Sequence, residues 1–255
     1  MPRPERVFRS DAVILRRQDF GEADRLLTLL TPNHGKLRAI AKGARKPTAR
    51  KTGHVELYTL VDMLIARGRD LHIVQQAETK EPFLRLHEDL LRGSYASYVV
   101  ELMDRFTAEQ DPGRGEFRLM AQTLGWLCDE EDPRLVTRFY ELRLLELAGF
   151  APALHSCGIG QEALEPRDQF FSPADGGAVC PEHHAGFERG MPLSLNALKV
   201  MRHLQTQPWH VVRGLQVPGP LHREIERLLL AYIAYLLEQR LQSVDFLRKL
   251  RLEEM

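Results

Sequence analysis

The sequence is short of cysteine, of aromatic residues and of long apolar runs, and each shortage excludes something. Three cysteines in 255 residues cannot build a disulfide framework, which predicts a chain that works in a reducing cytoplasm. The longest greasy stretch, Leu228 to Leu237, is broken by Tyr232 and Tyr235. It falls well short of the ~20 residues of a membrane-spanning helix. Met1-Pro-Arg-Pro-Glu-Arg6 has no apolar run behind its charged head, so no secretory signal is expected. There is no low-complexity tract and no repeat of fixed period. Four catalytic signatures are missing: Gly-x-x-x-x-Gly-Lys-Ser/Thr, a strand-borne Gly-x-Gly-x-x-Gly, Gly-x-Ser-x-Gly and His-Glu-x-x-His. The expectation is a protein that is not an enzyme.

Acidic charge is absent from one long stretch. Between Asp24 and Glu56 no acidic residue occurs, while Arg25, Lys36, Arg38, Lys42, Arg45, Lys46, Arg50 and Lys51 do. The chain as a whole is neutral, with 35 basic and 35 acidic side chains. Residues 1–80 hold 16 basic against 9 acidic side chains, a net of +7, and residues 81–255 hold 19 against 26, a net of −7. This polarity has two readings: a face built for a polyanion, or a solvated basic loop. The acidic remainder would confine a polyanion to the basic end, or is simply a set of solvated helix faces.

Residues 1–80 read as β. Val7–Leu15 and Arg25–Thr31 flank a break at Gly21, and Pro32-Asn33-His34-Gly35 is a turn. Lys36 to Lys42 alternates, with Leu37, Ala39 and Ala41 on one face and Lys36, Arg38, Ile40 and Lys42 on the other. Val55–Ala66 and Leu71–Gln76 follow, separated by the turn Arg67-Gly68-Arg69-Asp70. Five short strands predict an α+β chain opening with a five-stranded OB-type barrel, a fold that often binds single strands. The nucleic-acid-facing candidates are Lys36, Arg38, Lys42, Arg45, Lys46, Arg50 and Lys51, whose charges would neutralise phosphates. Phe20, His34, Tyr58 and His72 are candidates for base stacking, although Phe20 and Tyr58 read equally well as core.

From Phe83 the period becomes helical, through Leu86, Leu90, Leu91, Tyr95, Tyr98, Val99, Leu102 and Phe106. A second helix spans Phe117 to Leu127. Asp132-Pro133 starts a third that runs to Gly149, Ser194 is an N-cap candidate, and the strongest helix begins near Pro220. The apolar stripe of that last helix reads as core. The domain expectation is a barrel at 1–80, a helical domain in two parts at 81–150 and 193–255, and a zinc-finger-like loop at 151–192.

That loop holds His155-Ser-Cys157-Gly-Ile-Gly160 and Cys180-Pro-Glu-His183-His184. Cys-x-x-His is half of a zinc ribbon, but Gly160 stands where the first half needs its second cysteine. One reading is a zinc ion on Cys157, Cys180 and His183, completed by His155 or His184. The other is a loop that has lost its metal and is held by Phe170, Phe171 and backbone turns. A Cys157–His183 nucleophile pair lacks any marked oxyanion hole or orienting acid. Cys128, beside Trp126 and Leu127, reads as a buried thiol.

Taken in order, several segments resemble the RecO family of bacterial recombination mediators, over most of the chain. They are Asp11-Ala-Val-Ile-Leu15, Gly21-Glu-Ala-Asp-Arg25, Leu29-Leu-Thr-Pro32, His34-Gly-Lys36, Ala41-Lys-Gly-Ala-Arg-Lys46, Gly68-Arg-Asp-Leu71 and Gln76-Ala-Glu78. Further on come Leu145-Glu-Leu-Ala-Gly-Phe150-Ala-Pro152, the Cys157 loop, and Phe171-Ser-Pro-Ala-Asp-Gly-Gly177 before Cys180. The resemblance implies an N-terminal OB fold, a helical C-terminal domain and a Cys-rich insertion that holds zinc in some members. It implies no enzyme turnover. It also implies binding of single- and double-stranded DNA, strand annealing, and work with RecR to load RecA on strands covered by SSB, with SSB-tail contact in some members. The insertion departs from the family's four cysteines at Gly160 and His183. Two further classes compete: a helical adaptor that grips an acidic peptide without direct DNA binding, and a small metalloenzyme built on the Cys157 loop.

Overall fold

The computed structural model describes residues 6–46, 52–184, 190–238, 241, 243 and 244. The chain divides into two compact units with the break between Asp129 and Glu130.

In the first unit, β1 (Val7–Phe20), β2 (Asp24–Thr31), β3 (Gly35–Ala41), β4 (Leu60–Ala66) and β5 (His72–Glu81) close a barrel in the order β1-β2-β3-β5-β4. β1 serves two neighbours. Its first half pairs with β4 and its second half with β2, and a register shift at Ile14/Arg16 lets the strand bend from one to the other. The seam is a short parallel pairing of β3 with β5, Ala39 opposite His72 and Ile40 opposite Ile73. Alternate residues fill the interior, among them Leu27 and Leu29, Leu37, Ala39 and Ala41, and Val61, Met63 and Ile65. The five-stranded OB-type barrel is therefore the observed fold. Two boundaries differ from the sequence reading. β1 runs on through the polar Arg16–Asp19, which carry no apolar signal but pair with β2. The fourth strand starts at Leu60 and not at Val55, because Tyr58 takes a left-handed conformation, φ 61°, that breaks the extended run.

Three helices belong to this same unit: α1 (Arg85–Glu88), α2 (Leu90–Phe106) and α3 (Arg114–Asp129). The continuous period from Phe83 is interrupted at Asp89, whose carboxylate accepts from the Arg92 amide at 3.0 Å and caps α2. Arg85 donates to the Cys128 carbonyl at 2.6 Å, and the buried Arg92 donates to the Leu127 carbonyl. Two of the last carbonyls of α3 are satisfied in this way. Both α2 and α3 pack on β1. Cys128 is buried, as its helix position predicts, and burial pushes its thiol up.

The second unit packs α4 (Pro133–Leu147), α6 (Leu195–Thr206) and α8 (Gly219–Leu237) together. Between α4 and α6 lie β6 (Gln169–Ser172), β7 (Gly177–Val179), the single turn α5 (Pro181–His184) and β8 (Met191–Leu193), with the strands in the order β7-β6-β8. The short α7 (Trp209–Val212) follows α6. Asp132 accepts from the amides of Arg134 and Leu135 at 2.9 and 3.3 Å, and Ser194 Oγ accepts from the Ala197 amide at 3.2 Å. Both caps stand where the sequence places them. Ile225, Leu228, Leu229 and Ile233 of α8 are buried, joined by His222 and Tyr232. Leu221, Leu236 and Leu237 stay half-buried. Among the described residues no helix is long and apolar enough to cross a membrane.

Candidate functional site

Strand alternation in the first unit sorts the basic residues before any ligand is considered. Leu27, Leu29, Leu37 and Ala39 point into the barrel, so the residues between them point out. The pairings Arg16–Thr28–Arg38 and Gln18–Leu26–Ile40 form two rows across the outer face of β1, β2 and β3, and Phe20–Asp24 begins a third, with Lys42 just past the end of β3. A cleft of about 310 Å³ opens on this face, lined among others by Arg16, Gln18, Leu26, Thr28 and Arg38 and by the acidic Asp104 and Glu109. The face of strands 2 and 3, with the 1–2 and 4–5 loops, is where OB folds take oligonucleotides.

The seven basic candidates separate on this frame. Arg38 and Lys42 are exposed and have no ion-pair partner among the described residues. Arg45 is exposed but pinned, its Nε 3.3 Å from Asp19 and its Nη1 donating to the Gly21 carbonyl at 3.2 Å. Lys46 is exposed beside it. Arg50 and Lys51 lie outside the described residues. Lys36 differs from the sequence expectation: it is buried, its Nζ donating to the Asp104 carbonyl at 2.6 Å and to Asp104 Oδ1 at 3.0 Å. Arg16 pairs with the other carboxylate oxygen of Asp104 at 2.7 Å. Lys36 thus joins the barrel to α2, and a phosphate would reach its ammonium only by displacing that carboxylate. Sequence reading missed Arg16 and Gln18, which were past the expected end of the first strand. It also could not see Asp104, 68 residues from Lys36.

The stacking candidates separate as well. Phe20 is 49% exposed. His34 and His72 pack on the buried Phe8, with ring centroids at 4.1 and 6.2 Å, and Arg67 lies 4.9 Å over the same ring. Burial and the nearby Arg67 charge hold both imidazoles below the usual histidine range, so they are neutral ring fillers at neutral pH. Tyr58 sits 5.9 Å from the His87 ring and its hydroxyl is pushed up by burial.

The second unit brings Cys157, Cys180 and His183 together and adds Glu162, all four donor atoms lying within 4.8 Å of one another. His183 Nδ1 is 3.5 Å from Cys157 Sγ, 3.2 Å from Cys180 Sγ and 3.1 Å from Glu162 Oε1. Edges of a zinc tetrahedron built from Zn–S and Zn–N/O bonds are about 3.4–3.8 Å, so the donor set fits the ion in type, and its separations of 3.1–3.5 Å would have to open slightly around a bound ion. Gly160 explains the departure from a four-cysteine loop. A Cβ there would come within 2.1 Å of Glu162 Oε2 and 2.2 Å of His183 Cε1, so a side chain at 160 would occupy the space these two now fill. A tight turn, Cys157 amide to Glu162 carbonyl at 2.8 Å, swings the glutamate in. His155 is exposed and outside the cluster, and the His184 side chain is outside the described residues. The thiols are inequivalent. Burial raises both, but amides of Cys180, Gly160 and Ile159 and the His183 ring bring Cys157 below the usual thiol range. Cys180, buried and facing the Glu162 carboxylate, is pushed up to about 12. A metal would deprotonate both.

The order of strands, the outer face and the Cys/Glu/His cluster all fall within matched families. The family described as Recombination protein O N terminal matches residues 6–83, and Recombination protein O C terminal matches residues 87–245. The chain belongs to the recombination protein O (RecO) family. Similar curated proteins, each named DNA repair protein RecO, agree along nearly its whole length. The Roseiflexus sp. (strain RS-1) protein is 41% identical over 97% of this chain and 87% of its own length. Those of Desulforudis audaxviator and Symbiobacterium thermophilum are 37% and 36% identical over 95% and 96% of this chain and 97% and 98% of theirs. In this RecO-family chain Arg38, Lys42 and Phe20 lie in the N-terminal match, and Cys157, Glu162, Cys180 and His183 in the C-terminal one.

Proposed function

We propose that this chain is a non-catalytic recombination mediator of DNA repair in the cytoplasm, binding single- and double-stranded DNA on the outer face of its barrel. On this reading it anneals complementary strands and, with RecR, promotes RecA loading on SSB-covered single strands, where the SSB tail is a further contact. The observation that carries the DNA reading is the pair Arg38 and Lys42. Both are exposed cations without ion-pair partners among the described residues, on either side of Ile40 along the outer face of β3. Arg45 and Lys46 extend it into the following loop. The names of the relatives, DNA repair protein RecO, support the same reading. Free thiols at Cys128, Cys157 and Cys180 suit a reducing compartment. A zinc ion would be held by Cys157, Cys180, His183 and Glu162. With no open ligand position implied by four protein donors, it would tie the loop together and not turn over substrate.

The test is fluorescence anisotropy of a labelled single-stranded oligonucleotide at several salt concentrations, for wild type and for Arg38→Glu/Lys42→Glu. Each phosphate contact on a single strand contributes about 0.7 to the slope of log K against log salt, so losing two should flatten it by about 1.4. These two positions are preferable to Arg45, whose reversal would also unfasten the Asp19 and Gly21 contacts. Absence of binding by folded wild-type protein would sink the DNA reading and bring forward the adaptor that grips an acidic peptide.

A further inference from the structure

The tip of the β1–β2 hairpin holds the one aromatic among the exposed large apolar side chains described in the first unit, Phe20 at 49% exposure. A lone exposed apolar side chain needs no explanation by itself. This one stands on a tip that is fastened at several points. Asp24 Oδ1 accepts from the Gly43 amide at 2.7 Å, and the Arg45 amide donates to the Ala23 carbonyl at 2.9 Å. The Arg45 guanidinium bonds to Asp19 and to the Gly21 carbonyl, the residues on either side of Phe20 in sequence. Gly21 takes φ +55°, the left-handed turn that lets the chain reverse directly after the ring. The loop after β3 is thus stitched to the hairpin, so that an aromatic ring and the cations of that loop are presented together. Phe20 is also the next alternate outward position along β1 after Arg16 and Gln18, on the face that carries Arg38.

We infer that Phe20 is a base-stacking residue for single-stranded nucleic acid, with the exposed Lys42 taking an adjoining phosphate. This rests on the DNA reading above and adds what that reading lacks, a way to tell single strands from duplex. Phosphate contacts are alike on both, whereas a ring can stack only on a base face that is not already paired and stacked. Annealing uses this preference: the ring releases each base as it enters the duplex, while the cations keep hold of the backbone. Bases of every kind offer a π-face, so the contact has little sequence preference.

The experiment measures binding of a single-stranded oligonucleotide and of a duplex of equal length to the full chain carrying Phe20→Ala, Phe20→Tyr or Phe20→Trp. Phe20→Ala should weaken single-strand binding about tenfold, change duplex binding less than twofold, and leave the salt slope as in wild type. Phe20→Tyr should restore single-strand affinity. Phe20→Trp should add fluorescence that the single strand quenches beyond any change from the native Trp126 and Trp209, and that the duplex does not. The ring is outside the barrel core, so the variants should melt as wild type does. If Phe20→Ala binds single strands as wild type does while Arg38→Glu/Lys42→Glu loses binding, the stacking role is overturned and the phosphate track stands. If Phe20→Ala weakens single strand and duplex alike, the ring is a general contact and the stacking role is overturned. If neither variant changes binding, both readings fall.

Discussion

Replacing Lys36 by Met separates the sequence view of this residue from the structural one. In sequence Lys36 leads the basic alternation of β3 and belongs with the DNA-facing set. In the fold its side chain is 11% exposed and faces an Asp104 side chain that is 13% exposed, with two short contacts from Nζ. Met keeps the packing of the aliphatic stem and removes both contacts. A hydrogen bond from a charged group contributes about 1.5–3 kcal/mol, and stripping one partner from a buried pair costs about 3–5 kcal/mol. Asp104 retains Arg16 at 2.7 Å, on a guanidinium that is mostly exposed. The net loss should therefore be about 2–4 kcal/mol, near the lower end of those ranges combined. For a unit of this size that lowers the melting temperature by about 7–15 °C. The control is Arg38→Met on the same strand, which should cost under ~0.5 kcal/mol and flatten the DNA salt slope by about 0.7. Thermal melts and salt titrations of the two variants give the comparison. A Lys36→Met protein that melts like wild type and loses salt dependence would refute the reasoning, because Lys36 would then be free to meet phosphate.

Two further outcomes test the second unit. Burial pushes the Asp132 carboxyl up, but hydrogen bonds from His222 at 3.0 Å and Arg134 at 3.1 Å outweigh it and hold the group well below the usual carboxylate range. A depressed folded-state value stabilises the fold above the unfolded value near ~4 and loses that contribution as pH falls further. Asp132→Ala should cost about 2 kcal/mol at pH 7 through the lost cap and ion pair, and its deficit against wild type should shrink in urea melts below about pH 4. A deficit independent of pH would contradict this assignment. For the metal cluster, elemental analysis after zinc loading and dialysis should find one zinc in wild type and none in Cys180→Ser, with Glu162→Gln holding zinc more weakly. A Glu162→Gln protein with wild-type affinity would mean that the fourth ligand is some other group.

How much was legible beforehand follows from the range of each interaction. The barrel strands β2 and β3 could be read because period-two alternation is local: Leu37, Ala39 and Ala41 must share one face. The caps at Asp132 and Ser194 were legible for the same reason, since a cap and its amides lie within three residues. The far half of β1 was not, because Arg16, Gln18 and Asp19 are polar and become strand only through pairing with β2. The break at Asp89 was hidden by a hydrophobic period that continues across it.

In the site the division is similar. Sequence by itself determined that cations crowd one barrel strand and its loop, that Cys157, Cys180 and His183 are metal-type donors, and that the chain resembles the RecO family. Chemical type is carried by single residues and needs no partner to be read. Tertiary structure decided which cations are free and which are spent: Lys36 is taken by Asp104 on a helix far along the chain, while Arg38 and Lys42 face outward. It brought Glu162 to the thiols through the space left by Gly160. It also turned Phe20 outward while folding His34 and His72 onto Phe8. Burial and pairing are relations between distant residues, and only the closed barrel and the folded loop fix those relations.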